Sequence, residues 1–367
     1  MSKKVKKKKK NLFSKFLIFI DVIALICFFF AYGPYSYFRE LLVTTAMTTM
    51  SHKYLAYILY SEETVKEILD KNKIVESGES TDTSAINTEL AEDTGVYESI
   101  YEEQILKRDE GNEHYKILEI EEDNWHGYMA VIYNPADIEL VFTENYGKSR
   151  GDYVSTMGKK NNALVAMTAS GVQNVRPGVN IITGETVKDG KIFAVGKNIN
   201  KGGGMIGFNK DNVLVLTKKS AKESIAEFGM DRAVEFGPFL IVNGKPSTFN
   251  GSGDGVHPRT AIAQRQDGIV LFVVIEGRRA SSVGISLKDL SEFFLKYKAY
   301  NAANLDGGGS SALYAVVDGE GKLLNEPGGY NYSGERYMAN AWMLIPKEEE
   351  EEPDMDVATE SEWGIWK

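Results

Sequence analysis

The segment Asn304-Leu305-Asp306-Gly307-Gly308-Gly309-Ser310-Ser311 sets one carboxylate directly before three glycines and two hydroxyls. Glycines forgo packing and carry an entropic cost, so a run of them belongs where backbone turns sharply or a ligand comes close. Asp306 then stands at the edge of a tight polar pocket. A plain turn between helix and strand uses the same residues, so the rest of the chain has to separate the two readings.

Two other segments bring charge to strand ends. In Gly255-Val256-His257-Pro258-Arg259-Thr260-Ala261-Ile262-Ala263, Pro258 holds His257 extended and presents Arg259 and Thr260 at the start of a strand. An arginine there suits a phosphate, because its planar fork bonds two oxygens at once; an arginine–carboxylate bridge is the structural alternative. In Val273-Val274-Ile275-Glu276-Gly277-Arg278-Arg279, Glu276 ends an apolar strand and precedes a glycine, a position from which a carboxylate lines a pocket mouth.

The elements that position these residues are mostly strands. Met129–Tyr133, Ile138–Thr143, Ala163–Thr168, Gly204–Phe208, Val213–Thr217, Phe239–Val242, Ile269–Ile275 and Ala312–Val317 have β-type composition, and Asn209-Lys210-Asp211-Asn212 and Val242-Asn243-Gly244-Lys245 read as hairpin turns. Helices are predicted at Asp152–Met157, Ala221–Phe228 and Ser286–Tyr297, the last with Leu287, Leu290, Phe293 and Phe294 on one face. The expectation is an α+β fold with a mixed, largely antiparallel sheet and few packed helices, preceded by a transmembrane helix.

Charge is segregated along the chain. Eight lysines lie within residues 1–15, so an overall net charge of −10 leaves −18 on the remainder. Phe16–Tyr32 is apolar except for Asp21, and with Leu12 and Phe13 the segment (12–32) reaches about 30 Å as a helix, enough to span a bilayer. With no small-x-small cleavage signal after it, it reads as an uncleaved signal anchor, a cleaved signal peptide being the alternative. The positive-inside rule then places the N-terminus in the cytoplasm and the chain beyond about Tyr35 outside the cell membrane.

The organisation that follows is a basic tail and anchor (1–35), a helical juxtamembrane stalk (36–70), an acidic exposed linker (71–114), a main domain (115–346) and an acidic tail (347–367) ending in Trp363-Gly364-Ile365-Trp366. In the stalk, Thr44-Thr45-Ala46-Met47-Thr48-Thr49-Met50 packs either as a buried helix face or on a membrane partner. Cys27 is the only cysteine and His52, His114, His126 and His257 the only histidines. A disulfide framework and a multi-histidine metal site are thus disfavoured, while an oxygen-ligand cation such as calcium stays open. The acidic body argues against nucleic acid. Gly202–Gly207 lacks the ending of a nucleotide P-loop, and Tyr330, Tyr332 and Arg336 form a candidate sugar-stacking loop.

In order and spacing, His257-Pro258-Arg259-Thr260-Ala261-Ile262, the strand ending Glu276-Gly277-Arg278, the segment Asn304–Ser311 and Phe236-Gly237-Pro238-Phe239-Leu240 resemble the phosphodiester glycosidase family over about Tyr128 to Leu344. The resemblance implies hydrolysis of a sugar 1-phosphate diester between the anomeric carbon and the phosphate oxygen. It assigns Asp306 as base or nucleophile, Glu276 as second carboxylate and Arg259 as the charge-stabilising cation. Thr260, Asn304, Gly307, Gly308, Gly309, Ser310, Ser311, His257 and Arg278 would contact the substrate. A carboxylate separation of about 5 Å would go with retention and about 7–9 Å with inversion. Anchored relatives of this type suggest a Gram-positive surface and a sugar-phosphate or exopolysaccharide substrate.

One stretch departs from the family pattern: Thr168-Ala169-Ser170-Gly171-Val172 stands where an Asn-Gly-Gly-Phe-Phe-like turn is usual, which bears on sugar specificity and turnover. Two alternatives stay open, a catalytically silent polysaccharide-binding scaffold of an export complex and a metal-dependent phosphodiesterase.

Overall fold

Val270–Ile275 is apolar at every position, the pattern of a strand covered on both faces. In this computed structural model it is an interior strand of a seven-stranded sheet ordered Lys245–Pro246, Phe239–Val242, Ala299–Asn304, Arg259–Arg265, Val270–Ile275, Trp125–Ile132, Tyr115–Glu122. Every pairing within it is antiparallel. The structure describes residues 2–347 apart from 35, 49–51, 90–92, 94, 197–202, 252–254 and 329–333. Tyr330, Tyr332 and the Trp363–Trp366 tail therefore lie outside the described residues.

Period-two alternation assigns the two faces of the sheet. Ile262, Val270, Phe272 and Val274 meet Val165, Met167, Trp342 and Phe208, which come from two five-stranded antiparallel sheets. Ala261, Ala263, Leu271, Val273 and Ile275 face the opposite way, against the helix Leu287–Lys296 through Leu287, Leu290, Phe293 and Phe294. Ser286 caps that helix, accepting from the Asp289 amide and donating its hydroxyl to Asp289 Oδ2 at 2.7 Å; such a cap contributes about 1 kcal/mol. Truncating a fully buried Phe272 would cost about 3–5 kcal/mol.

The α+β expectation is met, although the predicted strands omit several, Tyr115–Glu122, Met230–Phe236 and Asn340–Leu344 among them, and one beside the site is concealed by its composition. Ala299–Asn304 reads as a connector, because Ala-Tyr-Asn-Ala-Ala-Asn lacks β-branched residues. It is a strand because Arg259–Arg265 and Phe239–Val242 flank it and complete its hydrogen bonds.

At the N-terminus lie four helices, α1 (Ser2–Tyr32), α2 (Ser36–Thr48), α3 (Lys53–Leu59) and α4 (Glu62–Lys71). Within α1, Leu12–Tyr32 is long and apolar enough to cross a membrane, with a mean hydropathy of 2.4. Helices α2–α4 pack around Val43, Ala46, Ala56, Val65 and Ile68, and Ser61 caps α4 by accepting from the Thr64 amide. The polar stretch after α4, read from composition as exposed, lies along the main domain. Ile74–Val75 pairs with Thr248–Phe249, Thr81 exchanges hydrogen bonds with Leu216, and Asn87 donates to the Gln266 carbonyl. Its middle is anchored by hydrogen bonds, which leave no apolar periodicity to read, while Ile74 and, on the helix Ile100–Leu106, Tyr101, Ile105 and Leu106 join the cluster around Phe293 and Phe294.

Candidate active site

The Asp306 loop is laid directly on the His257-Pro258-Arg259 segment. Leu305 donates to the Thr260 carbonyl at 2.8 Å, and Gly308 to the Pro258 carbonyl at 2.8 Å. A Cβ on Gly307 would come within 2.9 Å of the Pro258 carbonyl oxygen, and Gly308 sits at φ +64. One glycine is required for close approach, its neighbour for backbone conformation.

Asp306 is only partly buried by area, yet its Oδ2 is sealed from solvent and has no hydrogen-bond partner. Burial pushes its pKa up to about 6, against the lowering effects of a Ser310 hydrogen bond and the Arg336 charge. Arg336 Nη1 donates to Ser310 Oγ at 3.1 Å, so carboxylate, hydroxyl and guanidinium form one chain. Three further buried oxygens on the loop and the strand end beside it have no partner either: Thr260 Oγ1, Asn304 Oδ1 and Ser311 Oγ. An unsatisfied buried polar group costs about 1–3 kcal/mol. Four on one loop and its neighbour mark a place built to bond something other than itself.

The remaining sequence-derived candidates divide. Arg278, with φ +61, brings its guanidinium against Gly308 and its Nη2 to 3.5 Å from His257 Nδ1; both residues therefore border the loop. The chain backbone passes Gly309 close to Gly328. Arg259 and Glu276 are occupied by protein. Arg259 shares the helix-covered face of Ala261 and Ala263, one residue out of phase with Thr260, and donates to the Gly255 carbonyl at 2.9 Å and the Ile285 carbonyl at 3.4 Å. Glu276 Oε1 accepts from the Glu326 amide at 2.7 Å, and Oε2 pairs with His126 Nε2 at 3.0 Å.

Sequence reasoning did not place Arg336 beside Asp306, and it read Thr168 only as a departure. The Thr168 hydroxyl donates to the Ser310 carbonyl at 2.6 Å, while Ser170 is held by Asn340 through its amide at 3.0 Å and its hydroxyl at 2.9 Å. The departing segment thus lies directly beneath the Asp306 loop. Among the described residues, no three His, Cys, Asp or Glu side chains are arranged to hold a metal ion.

Residues 161–345 match the family model described as phosphodiester glycosidase. The SPbeta prophage-derived uncharacterized protein YomE of Bacillus subtilis is 30% identical over 190 residues, covering 49% of this chain and 28% of that protein. The N-acetylglucosamine-1-phosphodiester alpha-N-acetylglucosaminidase of Bos taurus is 27% identical over 152 residues, covering 36% of this chain and 28% of the bovine protein. The chain thus spans little more than a quarter of the length of either curated relative. Among solved structures, the catalytic domain of the zebrafish enzyme of that name, auto-inhibited by its pro-peptide, has a TM-score of 0.51 at 17% identity, covering 64% of this chain and 83% of that one, a likeness of fold. The matched segment holds half of the chain and encloses Thr168, Arg259, Glu276, Asp306 and Arg336; the chain belongs to the phosphodiester glycosidase family.

Proposed function

We propose that this protein is a membrane-anchored, extracytoplasmic glycosidase hydrolysing sugar 1-phosphate diesters, with Asp306 as the carboxylate that accepts the proton of the attacking water. The observation that carries the reading is the sealed, partnerless Asp306 Oδ2 with a pKa near 6, ionised at neutral pH yet a stronger base than an ordinary aspartate. As the water oxygen bonds to the anomeric carbon, its proton passes to Asp306. The bond from that carbon to the phosphate oxygen breaks, and the phosphate leaves with the electron pair.

A phosphate departs at low pKa and needs little protonation, so stabilising its charge matters more than a general acid. Arg336, already bonded to Ser310, takes that role in this reading, in place of Arg259. The Gly307 and Gly309 amides and the Thr260 and Ser311 hydroxyls hold oxygens of the sugar or phosphate, the Gly308 amide being taken by the Pro258 carbonyl. Glu276 and Arg259 shape the loops behind the site. Direct attack by water predicts inversion at the anomeric carbon. The apolar α1 segment behind a lysine-rich terminus supports anchoring with the domain outside, where surface polysaccharide would supply the substrate.

The test is turnover by the full chain in detergent of an α-linked N-acetylglucosamine 1-phosphate diester. Asp306→Asn should lower kcat by orders of magnitude with folding intact. Near-normal activity in that variant would remove Asp306 from the chemistry, and binding of polysaccharide without sugar release by the parent chain would overturn the enzyme reading.

A further inference from the structure

Six large apolar or aromatic side chains, Tyr37, Phe38, Tyr54, Leu55, Tyr57 and Ile58, are exposed on α2 and α3, Tyr37 at 69% and Ile58 at 71%. Beyond α1–α3 the exposed apolar residues are single, such as Val96 and Val283, or confined to one edge strand, Ile192, Phe193 and Val195; six on two neighbouring helices mark an interaction surface.

Its position identifies the partner. The Phe38 ring packs on Phe30 of α1 at 5.1 Å between centroids, and Phe30 lies inside the apolar span Leu12–Tyr32. At the other end of the surface, the Tyr32 hydroxyl donates to the Leu59 carbonyl at 2.6 Å, and the Tyr60 hydroxyl donates to the Ala31 carbonyl at 2.8 Å. Both helices are therefore tied to the last turn of α1, at the depth where an apolar span meets the headgroups. Half of the exposed residues are tyrosines, whose amphipathic rings suit that layer.

We propose that α2 and α3 form an interfacial platform seated in the bilayer that Leu12–Tyr32 enters, with the lipid surface as the partner of these six side chains. The inference rests on the anchoring proposed above. It has a consequence for the site: α2 spans about 15 Å from Phe38 to Thr48, the Thr48 hydroxyl bonds His257 Nε2, and His257 borders Arg278, whose guanidinium lies against Gly308. The rim of the candidate site is thereby held close to the membrane surface.

The test uses the full chain in lipid nanodiscs on a Cys27→Ala background, spin-labelled in turn at Tyr54→Cys, Ile58→Cys, Leu25→Cys and Val96→Cys. Collision with oxygen, which partitions into lipid, is compared with collision with a water-soluble nickel chelate. The expected result is oxygen-favoured collision at Ile58 and Tyr54, nickel-favoured collision at Val96, and the strongest oxygen preference at Leu25. Nickel-favoured collision at both platform positions, or shielding of both from either probe as under a protein partner or second copy, would overturn the platform. A nickel-favoured label at Leu25 would overturn the anchor and the platform with it, whereas oxygen-favoured Leu25 beside nickel-favoured Ile58 and Tyr54 removes the platform alone.

Discussion

Replacing Asp306 by Asn should stabilise the protein while removing its activity. The folded-state pKa of Asp306 is about 6, raised by burial from an ordinary 3.8. Below about pH 4 the folded and unfolded chains both carry the proton, and the group contributes no penalty. Between about pH 4 and 6 the unfolded chain gives up this proton while the folded chain keeps it, so stability falls across that window and levels off above about 6, where the buried carboxyl ionises too. At 1.36 kcal/mol per decade of equilibrium constant, the full difference is about 3 kcal/mol at neutral pH. An asparagine keeps the shape of the neutral acid but imperfectly replaces the Ser310 hydrogen bond, leaving about 2 kcal/mol of net gain. For a domain of this size that corresponds to about 4–8 °C in Tm. Thermal unfolding of parent and variant, followed by circular dichroism from pH 4 to 8, should show a gap that opens between about pH 4 and 6 and stays constant above it. A gap constant across that range, or a variant less stable at neutral pH, would refute the reasoning.

Three other outcomes follow from the same geometry. The pH profile of kcat/KM should rise through about 6 as Asp306 loses its proton, a falling limb there instead identifying it as an acid. Because the Arg336 charge lowers the Asp306 pKa, Arg336→Gln should move that limb upward and cut kcat; Arg259→Lys should leave the limb in place and lower stability by about 1–3 kcal/mol through loss of its carbonyl contacts, and the opposite pattern would return the cationic role to Arg259. Thr168→Val removes the hydroxyl that holds the Ser310 carbonyl, and should reduce kcat about tenfold with KM little changed and stability lower by about 1–3 kcal/mol, read by paired kinetics and denaturant titration.

Local chemistry was legible where it is self-contained. The Asp306 glycines, the helix from Ser286 and the Asn209–Asn212 and Val242–Lys245 turns each announce themselves within a few residues. Long-range placement was less so. Alternation from Ile262 already puts Thr260 and Arg259 on opposite faces of the sheet, but which face carries the loop depends on the helix Leu287–Lys296 covering the other. Arg336 follows the Asp306 loop by a Gly- and Asn-rich stretch with no periodicity to direct it back to Ser310. Thr168 contributes one hydroxyl from a buried strand, and its partner is a backbone carbonyl, which leaves no mark in sequence. The segment after α4 misleads for the same reason, since Thr81 and Asn87 bind through backbone and side-chain hydrogen bonds.

The central claim is that water, guided by Asp306, attacks the anomeric carbon rather than phosphorus. Hydrolysis of a sugar 1-phosphate diester in oxygen-labelled water, followed by mass spectrometry of both products, decides it. The account predicts the label in the released sugar, with an inverted anomer as the first product; label in the phosphate would contradict it.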